Sequence, residues 1–201
     1  MVDNKLLPVV EFFLNSIANY LNGRKISADT ITIVGFVIGV MAVPLIILGA
    51  FKLALLLIIL NRIFDGLDGI LARMSGITDR GAFLDISLDF IFYASIPVAF
   101  ALFDPPENSL PALVLLFSFF GTGSTFLAFS IIAERKNIIP KNFNKKGFHY
   151  LSGLVEGFET ILFFLLMCLL PTYFQIIAYI FSFGCLLTTI FRLRIGWSVD
   201  R

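Results

Sequence analysis

The sequence predicts an all-α membrane protein with six transmembrane helices preceded by an amphipathic interfacial helix. Three observations lead there. Of 201 residues, 58% are hydrophobic and 14% charged, with 24 Phe and a mean hydropathy of +0.94; a soluble domain of this length has too little interior to hide so much apolar surface. The apolar residues fall into six runs, each close to the roughly 20 residues that cross a hydrocarbon core of about 30 Å. The basic residues gather on one side of such a six-span arrangement. A soluble enzyme and a disordered chain are thereby excluded. A net charge of +1, from 15 Lys+Arg against 14 Asp+Glu, argues against a nucleic-acid partner.

Residues 1–30 read as a juxtamembrane segment. Leu6, Val9, Val10, Phe13, Ile17, Tyr20 and Leu21 recur at helical spacing between polar positions, which suits a helix lying in the membrane interface. The short apolar core and small-residue cleavage site of a signal peptide are not seen there. Residues 31–201 read as one transmembrane domain with spans at 31–50, 53–72, 82–103, 110–133, 148–170 and 172–191. Pro44 and Pro97 fall inside two spans, where kinks are expected and neighbouring helices re-satisfy the freed carbonyls. Gly35 and Gly39, Gly121 and Gly123, and Gly153 and Gly157 mark places of close helix approach. Cys168 and Cys185 lie in apolar runs and read as buried free thiols.

Orientation follows from Lys5, Arg24, Lys25, Arg73, Arg80, Arg135, Lys136, Lys141, Lys145, Lys146, Arg192, Arg194 and Arg201, which flank the same side of the six spans. Arg62 lies in the half of the second span nearest that side, and Lys52 is the only dissenter. The loop around Asp104 and Glu107 on the opposite side has no basic residue. Both termini are therefore expected in the cytoplasm.

Four aspartates interrupt the apolar sequence: Asp65 and Asp68 in the second span, Asp85 and Asp89 in the third. An Asp near a helix centre costs about 2.5 to 3.5 kcal/mol on insertion scales, so four such groups require a compensating ligand. Spacings of three and four put each pair on one helix face. With a short turn at 74–80 between antiparallel neighbours, all four are expected at one depth, roughly 10 to 12 Å from that turn. Convergent oxygen donors without His or Cys suit a hard divalent cation, Mg²⁺ or Mn²⁺, which commonly takes phosphate oxygens as further ligands. Gly66, Gly69 and Gly81 leave room for a ligand near the backbone. Arg73, one turn beyond Gly69, is within reach of a phosphate.

The runs D-x-x-D-G-x-x-A-R over 65–73 and G-x-x-x-D-x-x-x-D over 81–89 resemble the signature of the CDP-alcohol phosphotransferase family, with eight fixed residues across 25 positions. Seven residues separate Arg73 from Gly81 where the family usually has eight. Six spans after an amphipathic helix agree with the family's fold, so the resemblance covers nearly the whole chain. It implies an integral-membrane enzyme, in a bacterial or archaeal cell membrane, that transfers a substituted phosphate group from a CDP-linked donor to an acceptor hydroxyl and releases CMP. In that reading Asp65, Asp68, Asp85 and Asp89 hold one or two Mg²⁺ or Mn²⁺ ions, and Asp89 also takes the proton of the acceptor. Gly69, Arg73, Thr78 and Gly81 face the CDP moiety. Ser27, Ala28, Asp29 and Thr30 stand where the family usually has a Thr/Ser-Pro-Asn/Asp turn, with Ala28 replacing the proline. A homodimer is likewise implied by resemblance only.

The leading donor is CDP-diacylglycerol, with a small alcohol as acceptor and membrane lipids as surroundings; a soluble CDP-alcohol with a lipid acceptor is the alternative within the same chemistry. A cation transporter with an aspartate-lined path, or a catalytically silent family member, are the alternatives outside it. Transporters place their sites near the midplane between repeats, whereas here the carboxylates approach one membrane face and no repeat is visible. A silent member is expected to have lost a metal aspartate, and none is lost. His149 reads as an interfacial residue, and the stretch 135–146 as a cytoplasmic basic loop. Glu156 and Glu159 fit either pairing with Arg192 or Arg194 or binding of acceptor hydroxyls.

Overall fold

The computed structural model describes residues 3–136 and 155–198, with side chains from Phe13 onward. His149, Gly153 and the basic residues at 141, 145, 146 and 201 lie outside the described residues. Among those described there are helices and no strands.

The first helix, α1 (Asp3–Gly23), ends in a Schellman turn: Ile26 N–H donates to Leu21 O at 3.1 Å and Lys25 N–H to Asn22 O at 2.9 Å. Lys25 takes the left-handed position of that turn, φ 57°, usually held by glycine. Ser27 then caps α2 (Ala28–Val40) by accepting from Thr30 N–H. Pro44 lacks the N–H that the Val40 carbonyl needs, and the helix breaks there, resuming as α3 (Ala42–Ile47). Gly49, φ 75°, turns the chain into α4 (Phe51–Ser75), and Gly76, φ 98°, turns it towards α5 (Asp79–Phe103). The helix α5 runs unbroken through Pro97. Pro105 opens α6 (Pro105–Arg135), and α7 (Gly157–Leu169) leads through a 3₁₀ turn at Pro171–Tyr173 to α8 (Phe174–Trp197).

Helix pairs in contact trace a closed ring: α2 against α4, α4 against α7, α7 against α8, α8 against α6, α6 against α5, and α5 back to α2. The short α3 continues α2 against α4 and α5, and α1 packs outside on α4. Consecutive helices α4 and α5 are neighbours joined through side chains, Phe51 against Phe103 with ring centroids 4.9 Å apart and Arg62 bonded to Asp89, and α2 is wedged against both. That wedge depends on glycine. A Cβ on Gly35 would stand 2.7 Å from Phe64 Cβ, and one on Gly39 only 2.9 Å from Asn61 Nδ2.

Phenylalanine fills one end of the ring. Phe92, Phe119, Phe163, Phe164 and Phe181 meet with centroids 4.4–6.3 Å apart, and Phe51, Phe100 and Phe174 stack nearer the α3–α4 turn. Outside, Val37, Leu56, Ile91, Phe117, Phe183 and Phe191 are exposed, an apolar belt that only lipid or another apolar partner covers. Among the described residues, four helical stretches are long and apolar enough to cross a membrane: Ala28–Ile47, Asp79–Phe103, Pro105–Arg135 and Pro171–Trp197. The fourth of the expected spans begins earlier than its apolar run, at Pro105. Of the other two, α4 is long but carries Lys52, Arg62, Asp65, Asp68 and Arg73, and the described part of α7 has 13 residues.

On α1, Leu14 and Ala18 are buried in a cluster with Leu67, Ile70 and Leu71 of α4, while Phe13, Ile17 and Tyr20 remain exposed. The apolar stripe therefore divides into one face for the protein and one for the surroundings.

Candidate active site

The end of the ring without the aromatic fill opens into a cavity of about 1220 Å³ lined by all six ring helices. Asp65 and Asp68 enter it from α4, and Asp85 and Asp89 from α5. Ligand oxygens of Asp65, Asp68 and Asp85 lie within 4.8 Å of one another. Asp68 is buried and its Oδ2 has no hydrogen-bond partner. Three carboxylates this close repel one another, and a buried orphaned oxygen costs more still. A hard divalent cation among them removes both penalties, and the all-oxygen donor set fits one.

Asp89 is held differently. Its Oδ1 accepts from Arg62 Nη2 at 2.8 Å and its Oδ2 from the Tyr93 hydroxyl at 3.1 Å. Arg62 also faces Asp65 Oδ2 at 3.3 Å, donates to Tyr93 at 3.2 Å, and donates from Nε to Asn61 Oδ1 at 3.2 Å. Asn61 is itself buried and donates to the Gly35 carbonyl at 3.0 Å. The sequence points to Arg62 only as an orientation marker, and Asn61 and Tyr93 escape notice. The available signals are a polar pair, Asn61 and Arg62, inside an apolar run, and a Tyr one helical turn beyond Asp89.

At the cavity mouth Asp29 pairs with Arg80, whose Nε donates to Oδ2 at 2.9 Å. Thr78 caps α5 by accepting from Gly81 N–H at 3.0 Å, which leaves its own O–H free to donate to a ligand. A Cβ on Gly81 would stand 3.1 Å from both Asp29 Oδ1 and Thr78 Oγ1, so glycine lets the three groups converge. Gly69 and Arg73 line the cavity on the α4 side, with Arg73 Nη1 folded back to 3.4 Å from where a Gly69 Cβ would be. Ser27, Ala28 and Asp29 also line it. Thr30 is exposed, bonded to Ser27 Oγ at 2.9 Å, and is not among the cavity residues.

On the far wall Arg192 is buried, donating to Thr122 O at 3.0 Å and lying 5.7 Å from the Phe126 ring centroid. Glu156 and Glu159 form a capping box at the start of α7, Glu159 accepting from Glu156 N–H at 3.0 Å. That third role was not among the two that the sequence suggested. Cys168 and Cys185 are buried free thiols, as expected.

Such a ring, greasy outside, plugged by aromatic side chains at one end and open on a carboxylate cluster at the other, defines a multi-pass membrane protein that handles a charged ligand from one face. The family model described as CDP-alcohol phosphatidyltransferase matches residues 25–191, and the chain belongs to that family. It is therefore a phosphotransferase of phospholipid synthesis. The chain is 47% identical to inner membrane protein YnjF of Escherichia coli (strain K12), covering 98% of this chain and 96% of that one. Its fold is similar to that of phosphatidylinositol phosphate synthase from Mycobacterium tuberculosis. The structure of that enzyme with CDP-DAG bound matches with TM-score 0.75 at 21% identity, covering 94% and 97% of the two chains. Its complex with manganese and citrate matches with TM-score 0.72 at 22% identity, covering 92% and 91%.

Proposed function

We propose that the protein transfers a phosphatidyl group from CDP-diacylglycerol to the hydroxyl of a small alcohol and releases CMP. The observation that carries this reading is the carboxylate cluster set into a cavity that also has an apolar stretch of wall on α6. Leu116, Phe119, Phe120 and Leu127 of α6 suit acyl chains, while Asp65, Asp68 and Asp85 with Arg73 suit a metal-bound pyrophosphate. The donor found in the similar structure has this chemistry.

Asp65, Asp68 and Asp85 are the residues to hold Mg²⁺ or Mn²⁺, which when bound offsets charge on the pyrophosphate and on the departing CMP. Ser27, Ala28, Asp29, Gly69, Arg73, Thr78 and Gly81 surround the CDP moiety, and Thr30 acts only through Ser27. Asp89 accepts the proton of the acceptor hydroxyl as its oxygen bonds to the lipid-side phosphorus and the bond from that phosphorus to CMP breaks. Arg73 orients the phosphates. In the membrane, α4 and α7 serve as the second and fifth of six spans. The exposed face of α1 (residues 1–30 being the juxtamembrane segment, 31–201 the catalytic domain) lies in the interface. Both termini face the cytoplasm, and the working unit is a homodimer.

The test is CMP release by purified protein in detergent or nanodiscs with CDP-diacylglycerol, Mg²⁺ or Mn²⁺, and a panel of alcohols. Release that requires both donor and cation supports the reading. Turnover with CDP-choline and diacylglycerol instead would replace the donor assignment.

A further inference from the structure

The guanidinium of Arg62 sits between two of the four carboxylates, 2.8 Å from Asp89 and 3.3 Å from Asp65. A cation shared by those two carboxylates would compete with the guanidinium for the same oxygens. Its placement is built, not incidental. Nε is fixed by Asn61, Asn61 is fixed by the Gly35 carbonyl, and the Gly39 position has no room for a side chain that would push Asn61 aside. Tyr93 closes the other side, accepting from Arg62 Nη1 and donating to Asp89 Oδ2 while its ring centroid lies 5.7 Å from the guanidinium carbon. Both oxygens of Asp89 are thus engaged, and one oxygen of Asp65 faces Arg62.

We infer that Arg62 takes the place of a second metal ion, so that the chain binds a single divalent cation, at Asp65, Asp68 and Asp85, and Asp89 is positioned by a guanidinium. This rests on the reading above that those three aspartates hold a cation. Arg62 is a positioning residue: a fixed, permanently charged group that cannot be removed by a chelator. Its hydrogen bond to Oδ1, together with that from Tyr93 to Oδ2, holds the Asp89 carboxyl in one orientation at the cavity wall.

The number of Mn²⁺ ions bound per chain tests this directly. Purified wild-type protein, titrated with Mn²⁺ and followed by the loss of the free-ion EPR signal, is expected to bind one ion per chain. No exchange-coupled Mn–Mn spectrum should arise, with or without CDP. Asp68→Asn should bind none. Arg62→Met, which frees Asp65 and Asp89, should admit a second ion and bring in the coupled spectrum, while Arg62→Lys should remain at one. Two ions on the wild-type chain overturn the proposal and leave the donor chemistry intact. No ion on the wild-type chain overturns the metal reading and the proposal with it. A folded Arg62→Met protein that still binds one ion also overturns it, and should that variant fail to fold, the ion count on the wild-type chain is decisive by itself.

Discussion

Asp89 and Asp68 lie four and three residues from their partner carboxylates, yet their surroundings assign them different work. Both oxygens of Asp89 are occupied by donors that are part of the protein, so the carboxyl is held in place without any ligand. Asp89→Asn is expected to fold normally and to lower CMP release by roughly 10²–10⁴-fold, the range for loss of a general base; circular dichroism and turnover on one preparation check it. Asp68 is the opposite case, buried with an orphaned oxygen. Asp68→Asn should lose Mn²⁺ binding and turnover, but its melting temperature in the presence of EDTA should equal or exceed that of the wild-type protein in EDTA. Replacing a buried carboxyl crowded by Asp65 and Asp85 relieves the repulsion within the cluster in the metal-free state. A lower melting temperature would mean that Asp68 has a structural partner.

Among the elements, α2 does more for the site than its sequence suggests. It contributes Ser27, Asp29 and Thr32 to the cavity, and it holds α4 and α5 at the separation the carboxylates need. Gly39→Ala places a methyl group 2.9–3.0 Å from Asn61 and Phe92. Overpacking of this kind costs about 1–3 kcal/mol, expected as a melting temperature lowered by several degrees. The turn before α2 offers the reverse. Lys25 takes a left-handed conformation that glycine adopts freely, so Lys25→Gly should raise the melting temperature modestly, by up to about 1 kcal/mol of stability. The helices α4 and α5 were expected to be antiparallel neighbours because a short turn joins them, and their side chains do meet, at Phe51 and Phe103 and again at Arg62 and Asp89. Proximity in sequence did not show that α2 packs beside both.

For the molecule as a whole, the cavity joins all six ring helices, so a ligand bound at the carboxylates tightens the entire ring. At a cation concentration of 100 times its dissociation constant, binding adds about 2.7 kcal/mol to stability. Mg²⁺ or Mn²⁺ should therefore raise the melting temperature of the detergent-solubilised protein and EDTA should return it, with turnover lost and regained in parallel. The segregation of basic residues also predicts topology. A reporter fused after residue 201 should be active in the cytoplasm, and one placed near Asp104 and Glu107 should not; the reverse outcome would place the cavity on the wrong side for a nucleotide donor. Among the described residues, the aromatic fill at the closed end, from Phe92 to Phe181, sets apolar rings across the interior, which disfavours ion passage.

The sequence by itself determined the helical, membrane-embedded class and brought out the four aspartates, because both depend on local regularities: apolar runs of span length and side chains repeating every three or four residues along one helix. Ser27 and Thr78 came forward only through the family resemblance, and their roles as helix caps came from the structure. The tertiary structure alone decided that α2 is wedged against both α4 and α5, that three aspartates converge while the fourth is held by Arg62 and Tyr93, and that Glu156 and Glu159 cap a helix. Those outcomes depend on how closely distant segments approach, which at Gly35 and Gly39 is fixed by the absence of side chains on one helix and the bulk of Phe64 and Asn61 on another. Periodicity identifies the face of a helix; only packing decides what that face meets.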